Sequence, residues 1–209
     1  MTQGVTGLRL GVLNDVEREF VSSDILELYD IACGVLQQQG AELVTFNSPK
    51  SFDDMKESTG VIIYSEGYFH HGEMYEQEDA PVDTDVRPTI LIGRSISARA
   101  YVSPLQQRRR DQQEFLKSMD GLSALLTPTM PTPPLALPEV DQGSTPAYFT
   151  RGGNYLGLCG LSVPMGLTVE GLPGGLQILG RGNEEGMTLR IGATFEQETG
   201  PFPHPSIDG

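Results

Sequence analysis

The sequence has no tryptophan, two cysteines, three histidines and three lysines (Lys50, Lys56 and Lys117) in 209 residues. Each scarcity removes a class of function. Cys33 and Cys159 lie far apart, each in an apolar setting, so they read as buried free thiols and not as a disulfide framework. The N-terminus lacks the basic start and apolar block of a secretion signal, which makes the cytoplasm the expected compartment. No apolar run approaches the roughly 18–20 residues that a membrane span needs. Positive charge is short as well: 14 Lys and Arg stand against 28 Asp and Glu, a net charge of −14. Such a chain has no basic face to neutralise phosphates and is ill suited to an anionic bilayer, so neither nucleic acid nor a membrane is an expected partner.

What is present fits a globular protein. Hydrophobic residues make up 38% and charged residues 20%. A chain of this length buries roughly 70% of its unfolded surface, enough for a real core. Its 25 glycines and 15 prolines are scattered, which indicates many connections and not one low-complexity tract. No repeat and no compositional shift divides the chain, so residues 1–209 are expected to form one domain, or part of a larger one.

Local patterns place the elements. Leu8–Leu13 reads as a strand. Asp24, with Glu27 three residues on, reads as a capping box for a helix carrying Ile25, Leu28, Ala32, Val35 and Leu36 to a stop at Gly40. Leu43–Phe46 is a second strand, and strand, helix, strand predicts a parallel pair with a right-handed crossover. A helical middle follows: Val61–Glu76, a helix from Pro88, and one opened by Ser103 as cap and Pro104 at the first turn, ending at Gly121. Ala124–Thr127 is a short strand. Helix 147–158, strands 161–164 and 176–179 with a turn at Gly171–Gly174, and a last helix capped by Asn183 and ended by Gly200-Pro201 complete an α/β order.

Between strand and helix lies Thr127-Pro128-Thr129-Met130-Pro131-Thr132-Pro133-Pro134. Proline fixes φ and removes a donor, so this piece is expected to be neither helix nor central strand. It is a rigid surface linker, or a stiff loop that walls a pocket.

Several stretches in this order resemble the amidase signature family, specifically its C-terminal part. They are GLRLGVL (Gly7–Leu13), DGLSALLTPTMP (Asp120–Pro131), TRGGNYLGLCGLSVPMG (Thr150–Gly166), GLPGGLQILG (Gly171–Gly180) and EEGMTLRIGATFEQETG (Glu184–Gly200). The resemblance covers Gly7 to about Gly200. It implies a mixed β-sheet flanked by helices, with only the C-terminal part of the domain present. It implies hydrolysis of carboxamides to a carboxylate and an amine or ammonia, with no cofactor and no metal. It also implies a nucleophilic serine, a second serine in a cis peptide and a lysine base, set in a Gly/Ser-rich stretch. This chain has no such stretch. The nearest piece, Gly143-Ser144-Thr145-Pro146, lacks the serine pair, and no lysine follows a strand in a setting that would dry it out. No catalytic residue is therefore assigned.

The chain alone is expected to be inactive, with the intact enzyme acting on a small-molecule amide. The resemblance implies one pocket wall here, for which Thr127, Thr129, Asn154, Gly157 and Cys159 are the candidate residues. The alternative is a short non-catalytic homologue acting as an interaction or accessory protein. Half a sheet leaves an edge strand to be covered, by a missing N-terminal half or by self-association. Nothing in Gly93–Arg110 singles out a component of an aminoacyl-tRNA amidotransferase.

Three further clusters admit chemistry. Glu66, His70 and Glu73, beside His71, fall on one helical face and could hold a metal; a solvated face is the plainer account. Cys159 with His70 or His71 could form a nucleophile pair, although a cysteine in LGLCGLSVP suits a small core position. Arg108, Arg109 and Arg110, next to Asp111 and Glu114, read as an exposed charge-paired face.

Overall fold

The computed structural model describes residues 3–141 and 146–203. Its frame is a mixed five-stranded sheet in the order β2-β1-β3-β5-β4. The strands are β1 (Arg9–Leu13), β2 (Glu42–Phe46), β3 (Ala124–Pro128), β4 (Cys159–Leu167) and β5 (Pro173–Gly180). β1 runs parallel to both β2 and β3, whereas β5 is antiparallel to both β3 and β4. The helices are α1 (Asp15–Arg18), α2 (Ser23–Gln38), α3 (Phe52–Tyr75), α4 (Val86–Ile92), α5 (Ala98–Ser118), α6 (Tyr148–Leu156) and α7 (Glu185–Thr199). The expected parallel unit is β1-α2-β2, and Gly40 takes the left-handed φ of 90° that ends α2. None of the helices among the described residues is long and apolar enough to cross a membrane.

Several boundaries differ from the sequence expectation. α2 is capped at Ser22, not Asp24, because the Ser22 N–H is held by the Pro131 carbonyl at 2.9 Å and the helix begins directly after it. α3 starts nine residues before Val61, at Phe52, where the Ser51 hydroxyl accepts the Asp54 N–H at 3.1 Å. α5 starts at Ala98, with Ser97 Oγ accepting the Ala100 N–H at 3.2 Å, so Pro104 lies inside the helix. The turn after β4 closes at Leu172, and Pro173 and Gly174 already belong to β5. Asn183 is not the cap of α7: it sits at φ 65°, and Glu184 stands at the cap position.

Pro128 closes β3, an internal strand, contrary to expectation. Pairing with β1 ends at Leu125, so at Pro128 only β5 remains alongside and a missing N–H is tolerated there. Gly143, Ser144 and Thr145 lie outside the described residues.

The core lies on both faces of the sheet. α2 and α7 contact one another and β4 and β5; α7 packs over Ile178 and Val163. On the other face α6 is pressed between α3 and β5: a Cβ on Gly152 would stand 2.5 Å from the Phe52 ring, and one on Gly153 3.1 Å from Leu179. The glycine pair of α6 is what allows this close approach. Cys33 is buried and Cys159 half-buried, both as free thiols.

Candidate functional site

Strand register alone lines up a polar row on the α6 side of the sheet. Gln177 of β5 faces Thr127 of β3 on one side and Ser162 of β4 on the other. Its flanking partners, Leu125 and Leu179, are apolar and buried. A polar row inside an otherwise apolar layer costs stability unless it is hydrogen-bonded. Here it is. Gln177 Nε2 donates to Thr127 Oγ1 at 2.9 Å, and the Thr127 hydroxyl donates to its neighbour's carbonyl, Pro128 O, at 2.9 Å.

The chain continues straight from β3, with the Thr129 N–H donating to Gly175 O at 2.7 Å. This places Thr129 Oγ1 2.6 Å from Ser162 Oγ, a hydroxyl pair sharing one hydrogen bond. The pair needs glycine beneath it: a Cβ on Gly175 would lie 2.8 Å from Thr129 Oγ1 and 3.0 Å from Ser162 Oγ. α6 closes the arrangement from above. The result is a hollow of about 250 Å³ lined by Thr129, Asn154, Ser162, Gln177 and Leu179 among others, with no charged residue in its lining.

Two buried carboxylates fix α6 at its ends. At its start, the Tyr148 hydroxyl donates to Glu17 Oε2 at 2.9 Å, and Glu17 Oε1 also accepts the Phe52 N–H at 3.4 Å. Near its end, the Tyr155 hydroxyl donates to Asp111 Oδ2 at 2.7 Å. Asp111 also accepts from Gln107 Nε2 at 2.8 Å and pairs with Lys50 Nζ at 3.2 Å. Arg108 donates to the Tyr155 carbonyl at 2.5 Å, which the helix end leaves open, and to the Asn154 carbonyl at 3.1 Å, which also accepts the Gly157 N–H. The Arg108–Glu114 stretch is therefore not an exposed face paired within itself. Its first arginine binds backbone carbonyls at the end of α6, and its aspartate binds the Tyr155 hydroxyl there.

These surroundings set the acidities. Burial pushes the Asp111 carboxyl up, but the hydrogen bonds from Tyr155, Gln107 and Lys50 together hold it below the usual aspartate range. Burial raises the Glu17 carboxyl, and the nearby Asp53 charge adds to this; the bonds from Tyr148 and Phe52 only partly offset it. Burial, then the carboxylate partner, pushes both phenols up.

Of the residues expected to line a pocket, Thr129 and Asn154 share the hollow. Thr127 lies fully buried beneath it and holds Gln177. Gly157 and Cys159 are placed elsewhere. Gly157 is the left-handed cap of α6 (φ 66°), and Cys159 Sγ donates to Arg181 O at 3.0 Å. Ser162 and Gln177 are the residues that sequence reasoning missed. The signal for Gln177 was present: one polar residue in the apolar run Leu176–Leu179 of a strand that reads as buried.

The other clusters do not assemble. Among the described residues, no three of His, Cys, Asp and Glu stand close enough to hold a metal ion. Glu66 accepts the Tyr101 hydroxyl at 2.9 Å, and His70 packs edge-on to Phe69 with ring centroids 4.9 Å apart. The Cys159 thiol is engaged by the Arg181 carbonyl and not by His70 or His71.

Comparison with known proteins places this architecture. The protein-family model Amidase matches residues 2–189. A glutamyl-tRNA(Gln) amidotransferase subunit from Acidobacterium capsulatum is 30% identical over 220 residues, covering 92% of this chain and 46% of that protein. The protein of the same name from Bartonella bacilliformis is 28% identical, covering 96% of this chain and 46% of its own length. The chain thus spans about half the length of the curated relatives it matches. Among solved structures, a protein described as an amidase superposes with a TM-score of 0.80 at 24% identity, covering 93% of this chain and 46% of that one. A bacterial aryl acylamidase superposes with a TM-score of 0.74 at 23% identity, covering 95% and 45%. The family model spans both the β1-α2-β2 unit and the polar row of β3, β4 and β5, and on that match the chain belongs to the amidase family.

Proposed function

We propose that this chain is the C-terminal part of an amidase that hydrolyses a small-molecule carboxamide to a carboxylate and an amine or ammonia. It supplies scaffold and one wall of the substrate pocket, the hollow under α6. The nucleophilic serine, the bridging serine and the lysine base come from the part of the domain that this sequence does not contain. The observation that carries the reading is the pairing of family motifs throughout the chain with the lack of any Gly/Ser-rich serine stretch. Lys50 supports it: its ammonium is paired with Asp111 at 3.2 Å, the opposite of the dry, uncompensated amine that serves as a base.

The open edge of the sheet supports a complement. β4 pairs with β5 along one side, is nine residues long and carries no charged residue, and its edge is interrupted only in its second half, by Pro164 and the irregular pairing between Pro164 and Gly166. β2, the opposite edge, is five residues long and carries Glu42, paired with Arg9. The remainder of an amidase domain, seated along β4, would cover the exposed ladder. The two free thiols suit a reducing cytoplasm.

The test is ammonia release from a panel of aliphatic and aryl carboxamides. The purified chain alone is expected to give none above background. Co-expression with the N-terminal half of a curated relative is expected to give a stable complex that releases ammonia. Turnover by the chain alone, or a soluble complex that is inert on every amide, overturns the proposal.

A further inference from the structure

The hollow under α6 carries an unused donor and an unused acceptor. Thr129 and Ser162 share one hydrogen bond between two hydroxyls, so one of their two O–H groups is left over as a donor. Gln177 directs its amide N–H to Thr127 Oγ1, and the orientation is fixed, because the Thr127 hydroxyl already donates to Pro128 O and can only accept from Gln177. Among the described residues no donor reaches Gln177 Oε1, and Gln177 lines the hollow. No charged residue lines it, and Leu179 supplies an apolar wall.

From this we infer that the hollow is a subsite selective for a neutral carboxamide over the corresponding carboxylate. This rests on the amidase reading and adds to it the residues that discriminate. The ligand carbonyl accepts the surplus hydroxyl proton of the Thr129–Ser162 pair, and the ligand N–H donates to Gln177 Oε1. A carboxylate in the same pose sets an anionic oxygen against Gln177 Oε1, with no donor between them and no cation in the lining to offset the charge. A site built to hydrogen-bond an N–H rejects the analogue lacking it, because the site's own polar group is then left unpaired. The subsite therefore holds an amide and releases the acid.

The experiment titrates the full 209-residue chain with benzamide and, separately, with benzoate, following backbone and side-chain amide resonances. Benzamide is expected to shift Gln177, Ser162 and Asn154, with benzoate binding at least about tenfold more weakly. Thr129→Val combined with Ser162→Ala removes both hydroxyls and is expected to weaken benzamide several-fold, whereas Ser162→Ala alone leaves the Thr129 O–H free for the ligand carbonyl and is expected to weaken it less. Gln177→Leu is expected to narrow the preference; its fold is checked by the dispersion of the same spectra. Equal binding of the two ligands, shifts confined to residues outside the hollow, or a Thr129→Val/Ser162→Ala chain that binds benzamide like the parent overturns the inference. Those failures leave the ammonia-release test untouched. An inert complex whose hollow still prefers benzamide would overturn the amidase reading alone.

Discussion

Tyr155 donates its phenolic proton to Asp111 at 2.7 Å, joining residues 44 positions apart and locking the end of α6 onto α5. Lys50 completes the contact from the loop before α3, pairing with the same carboxylate oxygen at 3.2 Å and standing 5.9 Å from the Tyr155 ring centre. Three separate segments thus meet at one carboxylate whose side chain is 6% exposed. Removing one partner from such a centre leaves the others desolvated and unpaired.

Asp111→Asn is accordingly expected to cost about 2–4 kcal/mol, and Tyr155→Phe about 1–2 kcal/mol. Urea unfolding of both variants checks this. A double variant that loses much less than the sum of the two would show that they act through one contact.

The two clamping carboxylates have opposite pH signatures. The folded Asp111 carboxyl lies below its ordinary value, so its contribution is present above the unfolded aspartate range and is lost as pH falls through the folded value. The folded Glu17 carboxyl lies above its ordinary value of 4.5, so the folded state holds that proton more tightly. Its ionisation costs stability as pH rises from that value through the raised one, and the cost persists above it. Stability of the parent relative to Asp111→Asn is expected to shrink as pH is lowered below 4 (about the ordinary aspartate value). Relative to Glu17→Gln it is expected to grow over the range where Glu17 takes up its proton. Unfolding curves at stepped pH separate the two.

Gly152→Ala drives a methyl to 2.5 Å from the Phe52 ring, with Met55 Sδ behind it at 3.6 Å. The expected loss is about 1–3 kcal/mol, as for overpacking elsewhere in well-filled cores. Phe52→Leu in the same chain is expected to restore part of it, because the smaller side chain vacates the clash. Thermal melts of the single and double variants decide.

The two thiols are expected to react at very different rates. Burial, the largest influence, pushes the Cys33 thiol up to about 12, and little thiolate exists at neutral pH. Cys159 is half-buried at the start of the edge strand β4. Titration with a disulfide reagent is expected to modify one thiol in the folded chain and the second only after unfolding. Mass spectrometry should place the first on Cys159.

The sequence by itself determined the pieces whose causes are local. β1-α2-β2 follows from apolar spacing and a glycine stop. Gly40, Gly121 and Gly200 end helices or the turns after them at positive φ, where other residues are strained. The ordered motifs identified the family, and the lack of a Gly/Ser-rich stretch is read from the order of residues alone.

Helix starts were less legible, because any serine before an apolar run looks like a cap. Ser97 and Ser51 won over Ser103 and a start near Val61, since packing against the rest of the chain extends a helix past a local stop signal. Only the tertiary structure decided the site. Thr127, Ser162 and Gln177 form a row because of strand register, and β3 reaches β5 across some fifty residues of chain, so the register between them is fixed by burial and not by a local turn. Lys50, Asp111 and Tyr155 likewise meet only when α3, α5 and α6 pack. A carboxylate and a phenol show in the sequence that they can hydrogen-bond; which partner each one finds depends on the desolvated space they come to share.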